Sequence, residues 1–281
     1  MTAQASSPLT HPSNDNTSSP LIDTHCHLDM EAYRGDLEQV LERAFTTPLR
    51  HIVCVGIDLS SSGNCIGLAR GNPRLAATIG FHPHVVESLE AKDYLALERL
   101  YADNVTYVSA IGEIGLDYFH LHSPAATQQQ HFLRQLDLAH EWKLPVVIHN
   151  RDADDDVLRL LKIAKPLEFG GIMHCFSGDM TFASKILDLG LTISLTGVVT
   201  FKNSHQLQEV ATHIPLTSMV LETDGPYLAP HPYRGKRNEP AFLALTARKI
   251  AELRQISICQ VATQTTKNAE NLFGLVPHQP R

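Results

Sequence analysis

Short apolar segments alternate with longer segments of helical periodicity from Leu21 onward. In the stretch from Ala126 to Trp142, apolar residues recur at intervals of three and four, which is typical of one face of an amphipathic helix. The short segments have the length and composition of buried strands. We predict eight strands, which run from Leu21 to His27, His51 to Ile57, Leu75 to Phe81, Val105 to Ile114, Val146 to His149, Gly171 to Phe176, Leu191 to Val199 and Met219 to Thr223.

A strand and a helix repeated eight times over about 250 residues predict an α/β fold of the (β/α)8, or TIM, barrel type. The competing open, doubly wound sheet commonly has a G-x-G-x-x-G turn after its first strand, and the sequence has no such motif. No linker or change of composition divides the chain. We therefore expect a single barrel domain over residues 21–281, preceded by a disordered tail over residues 1–20, which are rich in Ser, Thr, Asn and Pro.

Composition and charge restrict the partners. The chain is 43% hydrophobic, enough for a large core, and its 23 Lys and Arg against 30 Asp and Glu give a net charge of -7. An acidic molecule repels polyanions, so any contact with nucleic acid must use a local group of cations.

The cysteines and the absence of apolar runs bear on location. The five cysteines form no C-x-x-C pair, and their odd number favours reduced thiols. The first twenty residues lack Lys, Arg and any apolar run, and no later segment approaches the ~20 apolar residues of a membrane span. We expect a cytoplasmic protein without membrane contacts.

Residues able to bind metal occur where predicted strands end. His25 and His27 are two apart, so a strand directs both to one face, where Asp23 could accept a ring N–H. In a barrel all carboxyl ends of strands open onto one rim. Each such residue alone could have a structural role, as a core histidine or a turn carboxylate, but six on five strands would be costly to bury unpaired. They predict a metal centre of His25, His27, Glu113, His149, His174 and Asp224.

Five segments carry a family resemblance: D-T-H-C-H-L-D (23–29), G-E-I-G-L-D (112–117), H-C-F-S-G (174–178), E-T-D-G-P-Y-L (222–228) and P-Y-R-G-K-R-N (232–238). From Leu21 to Phe273 the chain resembles the TatD family of metal-dependent hydrolases, a branch of the amidohydrolase-like barrels. Gly225 is a departure, because the family often has Ala or Ser there, and the tail over residues 1–20 is another. Neither departure affects a candidate ligand.

The resemblance implies a metal-dependent DNase that trims single-stranded DNA with two divalent cations. By position, His25, His27 and Asp224 would bind one cation and His149 and His174 the other, with Glu113 bridging them. A set of nitrogen and oxygen ligands without thiolate suits Zn, Mn, Ni or Co and binds Mg more weakly, so the identity of the metal stays open.

Further residues are candidates for catalysis and substrate binding. Asp224 and Glu113 are the expected catalytic carboxylates, with Asp224 orienting the metal-activated water and accepting its proton. His82 is expected to contact phosphate or protonate the leaving group, or else is a turn histidine beside Pro83. Cations near the rim could bind phosphates, or could be ordinary surface charges: Arg151, Lys202, Arg234, Lys236 and Arg237.

Three other functions stay open at this point. The same centre could hydrolyse an amide, a lactone or an aminoacyl ester, since the fold does not select the substrate. It could also act on small phosphoesters, which need cations but no extended groove. A barrel that binds metal without catalysis is disfavoured because no expected ligand is missing. Protein partners are not predicted.

Overall fold

The computed structural model describes residues 19–164 and 167–275. Its strands are β1 (Leu21–Cys26), β2 (Leu49–Val55), β3 (Leu75–Ile79), β4 (Val108–Asp117), β5 (Val146–Arg151), β6 (Gly171–Met173), β7 (Thr192–Leu195) and β8 (Met219–Leu221). Its α-helices are α1 (Leu37–Thr46), α2 (Leu59–Gly71), α3 (Ala91–Ala102), α4 (Ala125–Trp142), α5 (Asp154–Ile163), α6 (Met180–Asp188), α7 (His205–His213), α8 (Leu243–Arg254) and α9 (Ile258–Phe273). Within these ranges no helix is both long and apolar enough to span a bilayer.

The strands form a parallel sheet in sequence order, which closes between β1 and β8. At the closure the Asp224 N–H donates to the His25 carbonyl (2.9 Å), and the His27 N–H donates to the Gly225 carbonyl (2.8 Å). The predicted (β/α)8 barrel is confirmed. Residues 1–18 of the predicted tail lie outside the described residues, whereas Pro20 accepts a hydrogen bond from Thr266 of α9. The cytoplasmic location stays a prediction.

Several strand ends differ from those predicted. β4 extends to Asp117, three residues past the predicted end at Ile114. Gly112 and Gly115 allow this, because both have positive φ and a Cβ at either position would collide with β5. β7 is shorter than predicted, since residues 197–200 form a 3-10 turn whose start is capped by Thr196 Oγ1 accepting from the Val198 N–H (3.3 Å).

Alternation along the strands separates the barrel interior from the face that packs on the helices. Interior positions near the amino-terminal end are apolar and pack with Phe273 of α9. They are Ile22, Val53, Ala76, Ala110, Val147, Ile172 and Val220. The residues that follow Val147, Ile172 and Val220 by two positions are polar: His149 in β5, and His174 and Glu222 directly after β6 and β8. The same strand alternation that places apolar side chains in the core therefore places polar side chains in the barrel interior at its carboxyl end.

Candidate metal centre

The carboxylate of Glu113 lies between two pairs of imidazoles at the carboxyl end of the barrel. Its Oε2 is 3.5 Å from His25 Nε2 and 3.7 Å from His27 Nε2. Its Oε1 is 2.7 Å from His149 Nδ1 and 3.5 Å from His174 Nε2. One carboxylate thus faces both histidine pairs, one with each oxygen.

Asp224 completes the cluster on the side of β1. Its Oδ1 is 3.5 Å from His27 Nε2, 3.8 Å from His25 Nε2 and 4.0 Å from His174 Nε2. Asp224 has φ 56°, in the left-handed region that Asp tolerates better than most residues. The main-chain bond to His25 and this conformation turn the carboxylate toward the imidazoles. All six predicted ligands are therefore brought together.

The donor set fits divalent cations. Ligand bonds of about 2.0 to 2.2 Å separate neighbouring donor atoms by about 3 to 3.5 Å, close to the separations in this cluster. The far ring nitrogens of two of these histidines also have partners: His27 Nδ1 contacts the Val55 carbonyl (3.2 Å), and His149 Nε2 contacts Asp117 Oδ2 (3.3 Å). Such partners orient a metal-binding imidazole and set its tautomer, which leaves the near nitrogens as lone-pair donors.

The charges of the cluster are strongly coupled. Burial opposes ionisation of Glu113, but the surrounding histidines outweigh it and hold its pKa well below the usual range. Burial also opposes the charged form of His174, yet the carboxylates of Glu222 and Glu113 raise its pKa to about 10. In the ion-free protein His174 therefore carries a proton at neutral pH, and a cation bound by this ring would have to displace it.

His82 lies beside the cluster, with Nε2 3.6 Å from Glu113 Oε1. Its Nδ1 accepts a hydrogen bond from the His84 N–H (3.2 Å), so the neutral ring carries its proton on Nε2. Burial lowers the pKa of His82 to about 4. At neutral pH this ring is an uncharged N–H donor directed toward the cluster, which favours the predicted phosphate contact over protonation of a leaving group.

The predicted cations differ in their surroundings. The guanidinium of Arg151 lies 4.8 Å from the centroid of the Phe119 ring, and that of Arg234 lies 4.6 Å from the centroid of the Phe201 ring. Lys202 and Lys236 are exposed.

Arg237 stands apart from the other cations. It forms two bonds of 2.7 Å to Asp36 and one of 2.9 Å to Glu239. Its charge is thus already engaged by two protein carboxylates.

Two carboxylates beside the histidines were missed in the sequence. Glu222 Oε1 is 2.8 Å from His174 Nδ1 and accepts from the Cys175 N–H (2.6 Å), and Oε2 accepts from Ser194 (2.6 Å). Asp117 was missed because the fourth strand was predicted to end at Ile114. The interior alternation from Val220 to Glu222 is the signal that could have found the first.

Asp23 does not accept a ring N–H as predicted. Its carboxylate accepts from the main-chain N–H (2.9 Å) and the hydroxyl (2.6 Å) of Thr223 and from the His25 N–H (3.3 Å). It therefore joins β1 to the segment that precedes Asp224. The glycine at position 225, where the family often has Ala or Ser, is explained by the local packing. A Cβ at this position would collide with the hydroxyl of Tyr33.

A family model described as "TatD related DNase" matches residues 22–274. The chain belongs to the TatD family. It is 41% identical over 255 residues to the uncharacterized metal-dependent hydrolase YabD of Bacillus subtilis (strain 168), with 91% of this chain and 99% of YabD covered. As a TatD-family protein it is a metal-dependent hydrolase, and the cluster around Glu113 contains groups that could hold its metal.

Solved TatD structures have the same fold. The crystal structure of YJJV, a TatD homolog from Escherichia coli K12, superposes with a TM-score of 0.86 at 31% identity and covers 90% of this chain and 98% of its own. That of a TatD-family hydrolase from Entamoeba histolytica gives a TM-score of 0.82 at 27% identity, covering 92% and 99%. The likeness extends over almost the entire barrel of this TatD protein.

Proposed function

We propose that this TatD-family hydrolase is a deoxyribonuclease that cleaves phosphodiester bonds, as an exonuclease on single-stranded DNA, with two divalent cations. The observation that carries the proposal is the position of Glu113 between the two histidine pairs. One cation would be held by His25, His27 and Asp224, the other by His149 and His174, and Glu113 would contact both. Zn, Mg or Mn are the candidate metals.

The protein's own groups would divide the work as follows. Bound cations would supply acidification of water and neutralisation of phosphate charge. Asp224 stays ionised despite burial, because chiefly His27 and His174 hold its pKa below the usual value, and as a carboxylate it orients the attacking water and accepts its proton. The Nε2–H of His82 donates a hydrogen bond to a phosphate oxygen. Glu113, with one oxygen facing each histidine pair, fixes the spacing between the two pairs.

The uneven distribution of charged residues around the rim supports binding of a DNA strand on one side of the centre only. A cavity of about 730 Å³ between the β5–α5 and β6–α6 connections is lined by five aspartates: Asp152, Asp154, Asp155, Asp156 and Asp179. Phosphates would be repelled there. The connections after β7 and β8 carry Lys202, Arg234 and Lys236 instead, and we expect the DNA strand to follow that side.

One exposed aromatic ring beside the centre supports a single-stranded substrate. Tyr227 is 52% exposed, and the centroid of its ring is 6.4 Å from that of His27. Exposed rings along a binding path are the usual platform on which unpaired bases stack, at about 1 to 3 kcal/mol per base. The family description as DNase-related supports the same substrate class.

The test is hydrolysis of an end-labelled single-stranded oligonucleotide by protein loaded with Mg²⁺, Mn²⁺ or Zn²⁺. We expect stepwise shortening, and a loss of about 10²- to 10⁴-fold in Asp224→Asn, the range for removal of a general base. Asn tolerates the left-handed conformation, so the fold is retained. The matched control is Asp188→Asn at the exposed end of α6.

Other substrates in the same assay separate the alternatives. Turnover of generic esters, lactones or amides, with none of DNA, would overturn the nuclease proposal while leaving the metal centre. Equal rates on oligonucleotides of every length, down to a small phosphodiester, would instead indicate a phosphoesterase without a strand-binding groove.

A further inference from the structure

A second group of metal-capable side chains lies on the rim outside the proposed six ligands. It consists of His84, in the connection after β3, and Asp117 and His120, at the end of β4 and just beyond it. His84 Nε2 is 2.7 Å from Asp117 Oδ2, and His120 Nδ1 is 2.9 Å from the same oxygen. The three donor atoms therefore all lie within 4.8 Å of one another.

That oxygen has more imidazole neighbours than hydrogen bonding alone explains. His149 Nε2 is also 3.3 Å from Asp117 Oδ2, whereas Oδ1 accepts the main-chain N–H of His120 (2.8 Å). A carboxylate oxygen has two lone pairs, yet three ring nitrogens converge on this one. If His149 donates to it to keep its own tautomer, the lone pairs do not suffice for both His84 and His120 as proton donors.

A bound cation would account for three ring nitrogens around this one oxygen. His84 and His120 would then donate lone pairs to the cation and would not need lone pairs of Asp117 Oδ2 for hydrogen bonds. The donor separations of 2.7 and 2.9 Å are a few tenths of an ångström shorter than the about 3 to 3.5 Å expected around a divalent ion, so the two rings would have to move slightly away from Asp117 to admit one. The side chain of Asp117 is 1% exposed, that of His84 29% and that of His120 46%, so solvent can complete the coordination. The ring of His122 lies 4.6 Å from that of His84 between centroids and adds a further imidazole nearby.

We propose that His84 Nε2, Asp117 Oδ2 and His120 Nδ1 form an accessory binding site for one divalent transition-metal ion, separate from the centre around Glu113. Two imidazoles and one carboxylate select borderline ions such as Zn²⁺, Ni²⁺ or Co²⁺ over Mg²⁺ and Ca²⁺. The site goes beyond the proposed nuclease activity and does not depend on it.

The test counts bound ions in the full-length protein. Chelator-treated protein is titrated with Ni²⁺, and the ions retained after equilibrium dialysis are measured by elemental analysis. We expect His120→Ala to bind one ion fewer than the wild type, and His84→Gln to lose the same one. His120→Ala keeps the main-chain N–H that holds Asp117 in place, so the orientation of His149 is preserved.

His213→Ala, at the exposed end of α7, is the matched control and should bind as many ions as the wild type. Equal counts in wild type and His120→Ala would overturn the accessory site, as would an equal loss in the control. The difference between variants does not require a working catalytic centre. A chain that cuts no DNA but still shows a difference of one ion would contradict the nuclease proposal alone.

Discussion

Replacing Glu222 by Gln tests whether a buried carboxylate behind His174 controls metal binding. Glu222 Oε1 lies 2.8 Å from His174 Nδ1, and the Glu222 side chain is completely buried. Gln has the same shape, so its carbonyl can still accept from the Cys175 N–H and its amide can donate to Ser194. The substitution removes one negative charge and little else.

Two effects of this change act in opposite directions at neutral pH. Changing the partner of a histidine that binds metal, the role proposed for His174, weakens metal affinity by about 10- to 100-fold, or about 1.4 to 2.7 kcal/mol. An opposite charge at this range also raises a histidine pKa by about 1 to 3 units, so the variant lowers the pKa of His174 from about 10 to roughly 7 to 9. Proton competition at pH 7 then falls by a comparable factor.

The metal affinities of the wild type and of Glu222→Gln should therefore be similar near pH 7 and differ increasingly toward pH 10. Wild-type affinity rises by up to about tenfold per pH unit over that window, because the His174 proton must leave before a cation binds. The profile of the variant levels off earlier and ends about 10- to 100-fold below the wild type. Without cations, the folding stability of the wild type changes with pH in the opposite direction to its metal affinity. The contribution of protonated His174 to folding stability is complete below pH 6.5 and is lost as pH rises through about 10.

The assay is competition between the protein and a coloured chelator for Co²⁺ at several pH values. Glu239→Gln is the control, since this carboxylate is also buried but binds Arg43 and Arg237 away from the cluster. It should lower stability and leave the profile unchanged. Parallel profiles for Glu222→Gln and wild type, with a constant ratio at every pH, would refute the reasoning.

Three further outcomes are expected. Lys236→Gln should reduce the slope of log affinity against log salt for single-stranded DNA by about 0.7 in a binding titration. Arg237→Gln should leave that slope unchanged, but it should lower the free energy of unfolding in urea by about 1 to 3 kcal/mol. Gly115→Ala should destabilise by about 1 to 3 kcal/mol, because φ is positive and a Cβ meets β5, while Gly63→Ala, with open space around it, should not. Cation at 100 times its dissociation constant should stabilise the chain by about 2.7 kcal/mol per site, and chelation should abolish that gain in a thermal melt.

The barrel was predictable because its signals are periodic and local. Each strand end could be located to within a few residues, and a barrel brings all carboxyl ends to one rim, so the meeting of the six candidate ligands followed from topology. Asp117 was not predicted as a site residue, because β4 extends three residues beyond the apolar segment from which its end was predicted. Arg237 looked like its neighbours in sequence, because its contact with Asp36 joins residues that are 201 positions apart.

The centre and the closure of the barrel are built from the same residues. The main chains of His25 and Asp224 pair across the last seam between β1 and β8, and their side chains converge with Glu113 on the interior side of that seam. Asp23 and Thr223 reinforce the seam one layer below. If His25, His27 and Asp224 share one cation as proposed, ligands from both edges would come within about 2 Å of it, and binding would draw the two edges together. Metal occupancy and closure of the sheet would then be thermodynamically linked.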